Sequence, residues 1–295
     1  MVSTLCAQTV IFGDDETSLF NSVQSFSGAL QIARRAGLEG TVVFAHGDAS
    51  PTALSSETIN LLTSVGRDGG FDYHYTFFDS NTGSARGQNL LADAWPSTWH
   101  FVTNPNVIFG GTSLMHLWQI SQDATIGIAE ARQLPLELAK YYNSQTGDTS
   151  WGSGACSFIR GQLWREIAGY DDKTFFLHGD DVDMSWRIRL RGYRVVHVPQ
   201  ARIFHDKRLS NTDVSPIVPD HERFYSALCS YMMALKWGTD SQLAIVNRHL
   251  SGPEYDDVRI EIARRFDAGE IPTRVLGAEM VAQFDERGNY GLWRF

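Results

Sequence analysis

At 295 residues, with 43% hydrophobic and 12% aromatic side chains, the chain can bury the core of one large domain or of one domain plus an appendage. Its formal charge of −9 excludes broad electrostatic affinity for nucleic acid or for anionic membrane, leaving open a peripheral membrane contact through a local basic patch. Cys6, Cys156 and Cys229 form neither a disulfide framework nor a zinc motif. Neither a basic-then-apolar leader nor an apolar run near about 18 residues is visible, so a cytoplasmic protein with no transmembrane segment is expected.

Strand and helix signals alternate through the first hundred residues. Residues 5–12 carry Val, Ile and Phe and predict a strand. Asp14, Asp15, Glu16 and Thr17 supply a cap and first turn for a helix running toward Ala36, with Arg34 and Arg35 near its end. Residues 41–45 are a short apolar run typical of a buried strand. Ser50-Pro51 predicts a helix start, because proline suits the first helical position. Residues 73–78 predict a strand, 85–94 a helix and 100–103 a strand. Such alternation predicts a parallel sheet with helices on both faces, and ligands at the carboxyl ends of the strands. From about Val107 the rhythm changes. Residues 131–153 are polar and irregular and predict a mobile loop, and residues 206–220 predict a second. From His221 onward the chain reads as mostly helical, most clearly over 224–236.

The densest chemistry lies in residues 175–205. Asp180, Asp181 and Asp183 fall within four positions behind an aromatic run. Held together away from water, such acids repel and at least one pKa rises, as suits a general base or a metal site. As an acidic helix start they need no function. Val182, Met184, Trp186, Ile188 and Leu190 alternate with polar residues, which argues for a strand. Acids first, then Arg187, Arg189 and Arg191, then Gly192, argue for a helix, with Asp183 and Arg187 at i,i+4. The helix is the reading adopted, followed by a strand over 193–198 and a lone His205.

Ordered segments surround this cluster. Phe12-Gly13 and His46-Gly47-Asp48-Ala49-Ser50 end two strands. The run NTGSARGQN follows at 81–89, then Asn104-Pro105-Asn106 after another strand, then Gly152-Ser153-Gly154-Ala155. The set resembles glycosyltransferase family 2, especially its rhamnosyltransferase-like and galactofuranosyltransferase-like members, over about residues 4–240. NTGSARGQN is similar to the family's N-x-G-x-a-x-G-x-N. FFLHGDDVDMSWRIRLRGYRVVHVPQARIFH is similar to its E-D-v-D run with a following Arg, Gly and distal His. The resemblance implies a GT-A fold, an α/β Rossmann-like and mostly parallel sheet with helices on both faces plus a C-terminal helical extension. A transferase domain would span 1–220, with a nucleotide-binding half at 1–106 and an acceptor-binding half at 107–220, and the extension would span 221–295.

The same resemblance implies inverting transfer of a sugar from a UDP- or dTDP-linked donor to a hydroxyl of a glycan or glycolipid. An attacking hydroxyl needs a carboxylate within hydrogen-bond reach, and the leaving diphosphate needs its charge offset. By resemblance Asp181 is the base, Asp180 replaces the usual Glu and binds acceptor or orients Asp181, and Asp183 holds the helix through Arg187. Phe12, Gly13, Asp48, Arg86, Asn89, Asn104 and Asn106 would contact nucleotide, with Gly83 and Gly87 allowing close backbone approach. Trp151, Gly154 and Ala155 would line the sugar and acceptor pocket, although Trp151 reads equally as a core aromatic. A divalent cation, Mn²⁺ or Mg²⁺, would sit at Asn106 and His205. Asn106 stands where the family has a metal-binding Asp, and an amide oxygen is a weaker ligand for a hard cation. His205 reads equally as a ligand or a structural histidine. A non-catalytic nucleotide- or glycan-binding protein on the same scaffold is the alternative. A nucleotidyltransferase is disfavoured because acids, not a basic phosphate loop, follow the first strand.

Overall fold

A computed structural model describes residues 3–135, 140–205 and 220–290. Its first hundred residues form β1 (Ser3–Ile11), α1 (Glu16–Arg35), β2 (Val42–Asp48), α2 (Ser56–Gly69), β3 (Asp72–Phe77), α3 (Gly83–Ala94) and β4 (Ser97–Thr103). α1 starts where its acids predict: the Asp15 carboxylate accepts from the Ser18 N–H at 3.0 Å, satisfying an orphan donor of the first turn. α2 does not start at Ser50-Pro51. Ser55 caps it, accepting from the Thr58 N–H at 3.0 Å. Ser50 instead ties strand ends together: its N–H donates to Asp48 at 2.9 Å and its hydroxyl accepts from the Gly13 N–H at 2.8 Å.

The chain continues through β5 (Val107–Phe109), α4 (Ser113–Ser121), β6 (Ile126–Leu134), β7 (Cys156–Arg160), α5 (Gly161–Glu166), α6 (Asp180–Leu190) and β8 (Arg194–His205). One sheet has the order β3-β2-β1-β4-β7-β6-β8-β5. Only β7 and β5 run against the rest, so the sheet is mixed but mostly parallel. Period two sorts its side chains: Leu5 and Ala7 of β1 face the core built with α1, α2 and α4, whereas Cys6 faces α3. On the first face Phe26 of α1 meets Phe44, Phe71 and Phe109 edge-on, with centroids 5.0, 5.2 and 5.6 Å apart. Such edge contacts add to the burial of the rings. α3, α5 and α6 cover the opposite face.

The irregular stretch expected at 131–153 is corrected at its start, because β6 runs through Leu134. Two polar residues of β6 are buried and paired rather than solvated: Glu130 and Gln133 are each 2% exposed. Residues 136–139 of that stretch, and 206–219 of the second expected loop, lie outside the described residues. β8 also outruns its predicted end at Val198, since it pairs with β6 on both sides of a register shift at Ala131/Arg132.

α7 (Asp220–Trp237), α8 (Asp240–His249) and α9 (Asp256–Ala268) complete the described chain, with the predicted 224–236 helix inside α7. Met232, Met233 and Trp237 of α7 join Val246 and Val258 in a second core that also takes in Val182 and Trp186 of α6. Met184 and Ile188 of α6 face the sheet instead. Residues two apart on a helix point about 200° apart. The alternation that imitates a strand is therefore a helix buried on two sides.

Candidate functional site

Two chambers meet at the carboxyl end of the sheet. One, of about 670 Å³, is lined by Phe12, Asn81, Gly83, Asn106 and Tyr225 among others. The other, of about 520 Å³, is lined by Trp151, Gly154, Ala155, Tyr170, Asp180, Asp181 and Tyr290 among others. Ser84, Asn104, Leu177 and His205 line both and form the passage between them.

Asp180 and Asp181 open α6, just after His178, which sits in the left-handed region at φ 69°. That conformation is costly for a residue with a Cβ and clusters at functional sites. The Asp181 carboxylate accepts from the Gly154 N–H at 2.9 Å and from the Val182 N–H at 2.8 Å. Burial, and then the adjacent Asp181 carboxylate, pushes Asp180 up to about 7. Burial also raises Asp181, but the Gly154 and Val182 donors and the Lys140 charge act in the opposite sense. The first proton taken by the pair therefore settles on Asp180, and Asp181 stays an acceptor of protons. Asp183 is fully buried and bonds Arg187 at 2.7 Å, as its spacing predicts. It also bonds Lys236 at 2.5 Å and the Trp237 indole N–H at 2.8 Å, anchoring α6 to α7.

Asn104 and His205 face each other across the passage, Asn104 Nδ2 lying 3.3 Å from His205 Nε2. His205 Nδ1 lies 2.9 Å from the Gln133 amide oxygen, which fixes the tautomer with the proton on Nδ1 and the lone pair on Nε2. Asn106 lines the larger chamber only. Asn104, Asn106 and His205 are a neutral donor set. Among the described residues no group of three or more His, Cys, Asp or Glu is placed to hold a metal ion. With no carboxylate in the set these residues do not fit a resident divalent cation, since a neutral amide oxygen is a weaker ligand for a hard cation than a carboxylate.

Other predicted residues are placed as follows. Phe12 stands 53% exposed at the lip of the larger chamber, beside the stacked rings of Phe176 and Tyr225, whose centroids are 4.8 Å apart. Gly13 and Asp48 lie beneath it, and Asp48 is fully buried, accepting from the Ser50 N–H and from the Tyr75 hydroxyl at 2.6 Å. Arg86 is exposed and lines neither chamber. Asn89 bonds both the N–H and the C=O of Tyr170 at 2.9 Å, and so joins α3 to the turn before α6. The glycines of this run serve packing: a Cβ on Gly83 would lie 2.4 Å from the Phe176 carbonyl oxygen, and one on Gly87 would lie 2.6 Å from Val10 Cγ2. Trp151 is 5% exposed, with Lys140 Nζ 4.4 Å from its ring centroid. Ala155 accepts from the Asn104 N–H at 3.1 Å, linking the two chambers through the backbone.

Sequence reasoning missed the group beneath this loop. Buried Glu130 pairs with Lys140 and, at 3.1 Å, with His197, and it accepts from the Ser153 N–H at 2.9 Å. Lys140 donates to the Trp151 carbonyl at 2.8 Å. This group holds residues 151–154, and hence the Gly154 N–H that meets Asp181. Its members are scattered over β6, the connection after it and β8, so no local spacing marks them.

The description glycosyl transferase family group 2 matches residues 128–228, the stretch carrying Glu130, Gly154, Asp181 and His205. Over that stretch, about a third of its length, the chain is similar to glycosyltransferase family 2. An N-acetylglucosaminyl-diphospho-decaprenol L-rhamnosyltransferase of Mycobacterium tuberculosis is 28% identical over 102 residues, which are 32% of this chain and 33% of that protein. The O-antigen biosynthesis protein RfbC of Myxococcus xanthus is 26% identical over 149 residues, 48% of this chain and 11% of that protein. The chain thus spans a third or less of the curated relatives it matches. The fold is GT-A: GalNAc-T7, solved with UDP, GalNAc and Mn²⁺, matches 92% of this chain and 56% of its own at TM-score 0.61 and 12% identity. The mannosyltransferase PcManGT of Pyrobaculum calidifontis, solved with GDP-Man and Mn²⁺, matches 95% and 78% at TM-score 0.57 and 11% identity. Among the described residues no helix is long and apolar enough to cross a membrane.

Proposed function

We propose that the chain is an inverting glycosyltransferase, moving a sugar from a UDP- or dTDP-linked donor to a hydroxyl of a glycan or glycolipid acceptor. The observation that carries this reading is the pair of chambers joined at Asn104 and His205, with Asp181 lining one and the Phe12 lip the other. Inversion needs attack from the face opposite the leaving diphosphate, so base and diphosphate must flank the anomeric carbon. In this reading the nucleotide lies against Phe12, Phe176 and Tyr225, its diphosphate beside Asn104 and Asn106, and the anomeric carbon at the shared passage. The acceptor hydroxyl bonds Asp181. Its proton passes to Asp181 as its oxygen bonds to the anomeric carbon, and the carbon–oxygen bond to the diphosphate breaks with the electron pair leaving on the nucleotide. A positioned base of this kind contributes about 10²–10⁴-fold. Protonated Asp180 holds a second acceptor oxygen by donating to it. The relative named for transfer to N-acetylglucosaminyl-diphospho-decaprenol supports a glycolipid acceptor. Incubation with UDP- and dTDP-linked sugars, with proton NMR of the product, tests the reading: inverted anomeric configuration is expected, and a retained one overturns it.

One observation favours a second reading, a protein that binds nucleotide or glycan without turnover. The neutral set of Asn104, Asn106 and His205 leaves charge compensation to whatever the nucleotide brings, including Mn²⁺ or Mg²⁺ carried on its phosphates. Calorimetry with UDP and dTDP, with and without Mn²⁺, separates the two when set beside donor consumption: binding with no consumption supports the second.

A further inference from the structure

A third chamber, of about 540 Å³, opens from the acceptor side and shares His178, Ser226, Ser230 and Asn289 with the chamber of Asp181. Its lining departs from the rest of a chain whose net charge is −9. Arg223, Arg287 and His249 line it, against the single acid Glu222. The cations are held by architecture. Arg223 is clamped by both oxygens of Asp257, at 2.7 and 3.2 Å. Arg287 sits on a tight turn in which Asp285 accepts from the Arg287 N–H at 2.8 Å and from the Asn289 N–H at 2.9 Å. The turn docks on α8 through Gly288, where a Cβ would lie 3.0 Å from Val246 Cγ2. That contact brings Arg287 to the end of α8 that carries His249. Among the described residues neither the Arg287 guanidinium nor the His249 ring has a hydrogen-bond or ion-pair partner, while the Asn289 side chain on the same turn donates to Asp285 at 2.7 Å.

We propose that this chamber binds the phosphate or diphosphate ester of the acceptor, while the acceptor's sugar hydroxyl reaches Asp181 next door. Guanidinium and imidazole N–H groups converging on a hydroxyl-lined passage are the chemistry that recognises phosphate oxygens. The inference deepens the transferase reading and rests on it only for the word acceptor. The ester itself is testable without turnover.

The test is calorimetry of the full chain with citronellyl diphosphate, under saturating UDP so that the donor chamber is filled. Wild type is expected to bind it, and the double substitution Arg287→Ala/His249→Ala to bind about tenfold or more weakly. Arg287→Lys, which keeps the charge and lies on the exposed turn, is expected to retain most of the affinity. Equal binding by wild type and the double variant overturns the proposal, as does citronellol binding as tightly as the diphosphate. Inorganic diphosphate binding as tightly as the ester overturns the acceptor assignment. Failure of the transferase reading shows separately, as absent donor consumption.

Discussion

Replacing Asp183 by Ala should unsettle the joint between α6, which packs on the sheet, and the C-terminal helix α7. The side chain is fully buried, with one oxygen on Arg187 at 2.7 Å and the other on Lys236 at 2.5 Å and Trp237 at 2.8 Å. Truncation leaves Lys236 with Asp171 alone, at 2.7 Å, and strands an indole N–H between two cores. Removing one partner of a buried ion pair costs about 3–5 kcal/mol, and here a neutral donor is orphaned as well. Asp183→Asn keeps an acceptor for Trp237 and loses the charge, so it should cost less, about 1.5–3 kcal/mol. Urea unfolding reads both. With an m-value of about 3 kcal/mol per molar, Asp183→Ala should lower the midpoint by about 1 M or more at unchanged m. Transfer should fall with it, because Asp183 lies two residues beyond Asp181 on the first turn of α6. A midpoint within about 0.3 M of wild type would refute the claim that this carboxylate joins α6 to α7.

Gly83→Ala should destabilise by about 2 kcal/mol or more, since a Cβ would meet the Phe176 carbonyl oxygen at 2.4 Å in a backbone at φ 66°; thermal unfolding checks it, and an unchanged midpoint counts against tight α3 packing. Asp180→Asn should remove a pH dependence. Because the folded state holds the Asp180 proton more tightly than the unfolded chain, stability is fullest below about pH 4 and declines as pH rises toward the folded value of about 7. The rise from 3.8 to about 7 amounts to at most about 4 kcal/mol, so the variant should gain stability relative to wild type at pH 8 and little at pH 4. Gln133→Leu removes the partner that fixes the His205 tautomer and should lower transfer about tenfold or more at near-native stability, read as kcat beside a urea midpoint.

The first half of the molecule was legible because its signals are local. Asp15 caps α1 and the apolar runs of β1 and β2 are buried where period and composition put them. The α2 start misled because the Ser50 hydroxyl answers to Gly13, a partner outside any local window. In the second half the strands carry Glu130, Gln133 and His197, polar residues made tolerable only by contacts across the sheet and to Lys140 and Ser153. The acidic cluster was legible as chemistry, and the distinct settings of Asp180, Asp181 and Asp183 needed coordinates. Arg86 and Asn89 show the limit of a motif: the run NTGSARGQN is present, yet its arginine faces solvent and its last asparagine ties down Tyr170.

The base assignment is tested most directly by Asp181→Asn, assayed for sugar transfer at saturating donor alongside calorimetric affinity for the same nucleotide. Asn preserves the shape of the side chain and one acceptor for the backbone donors but cannot take the acceptor proton. Transfer lowered by about 10²-fold or more, with nucleotide affinity within about twofold, is the predicted result. Unchanged turnover would contradict Asp181 as the base.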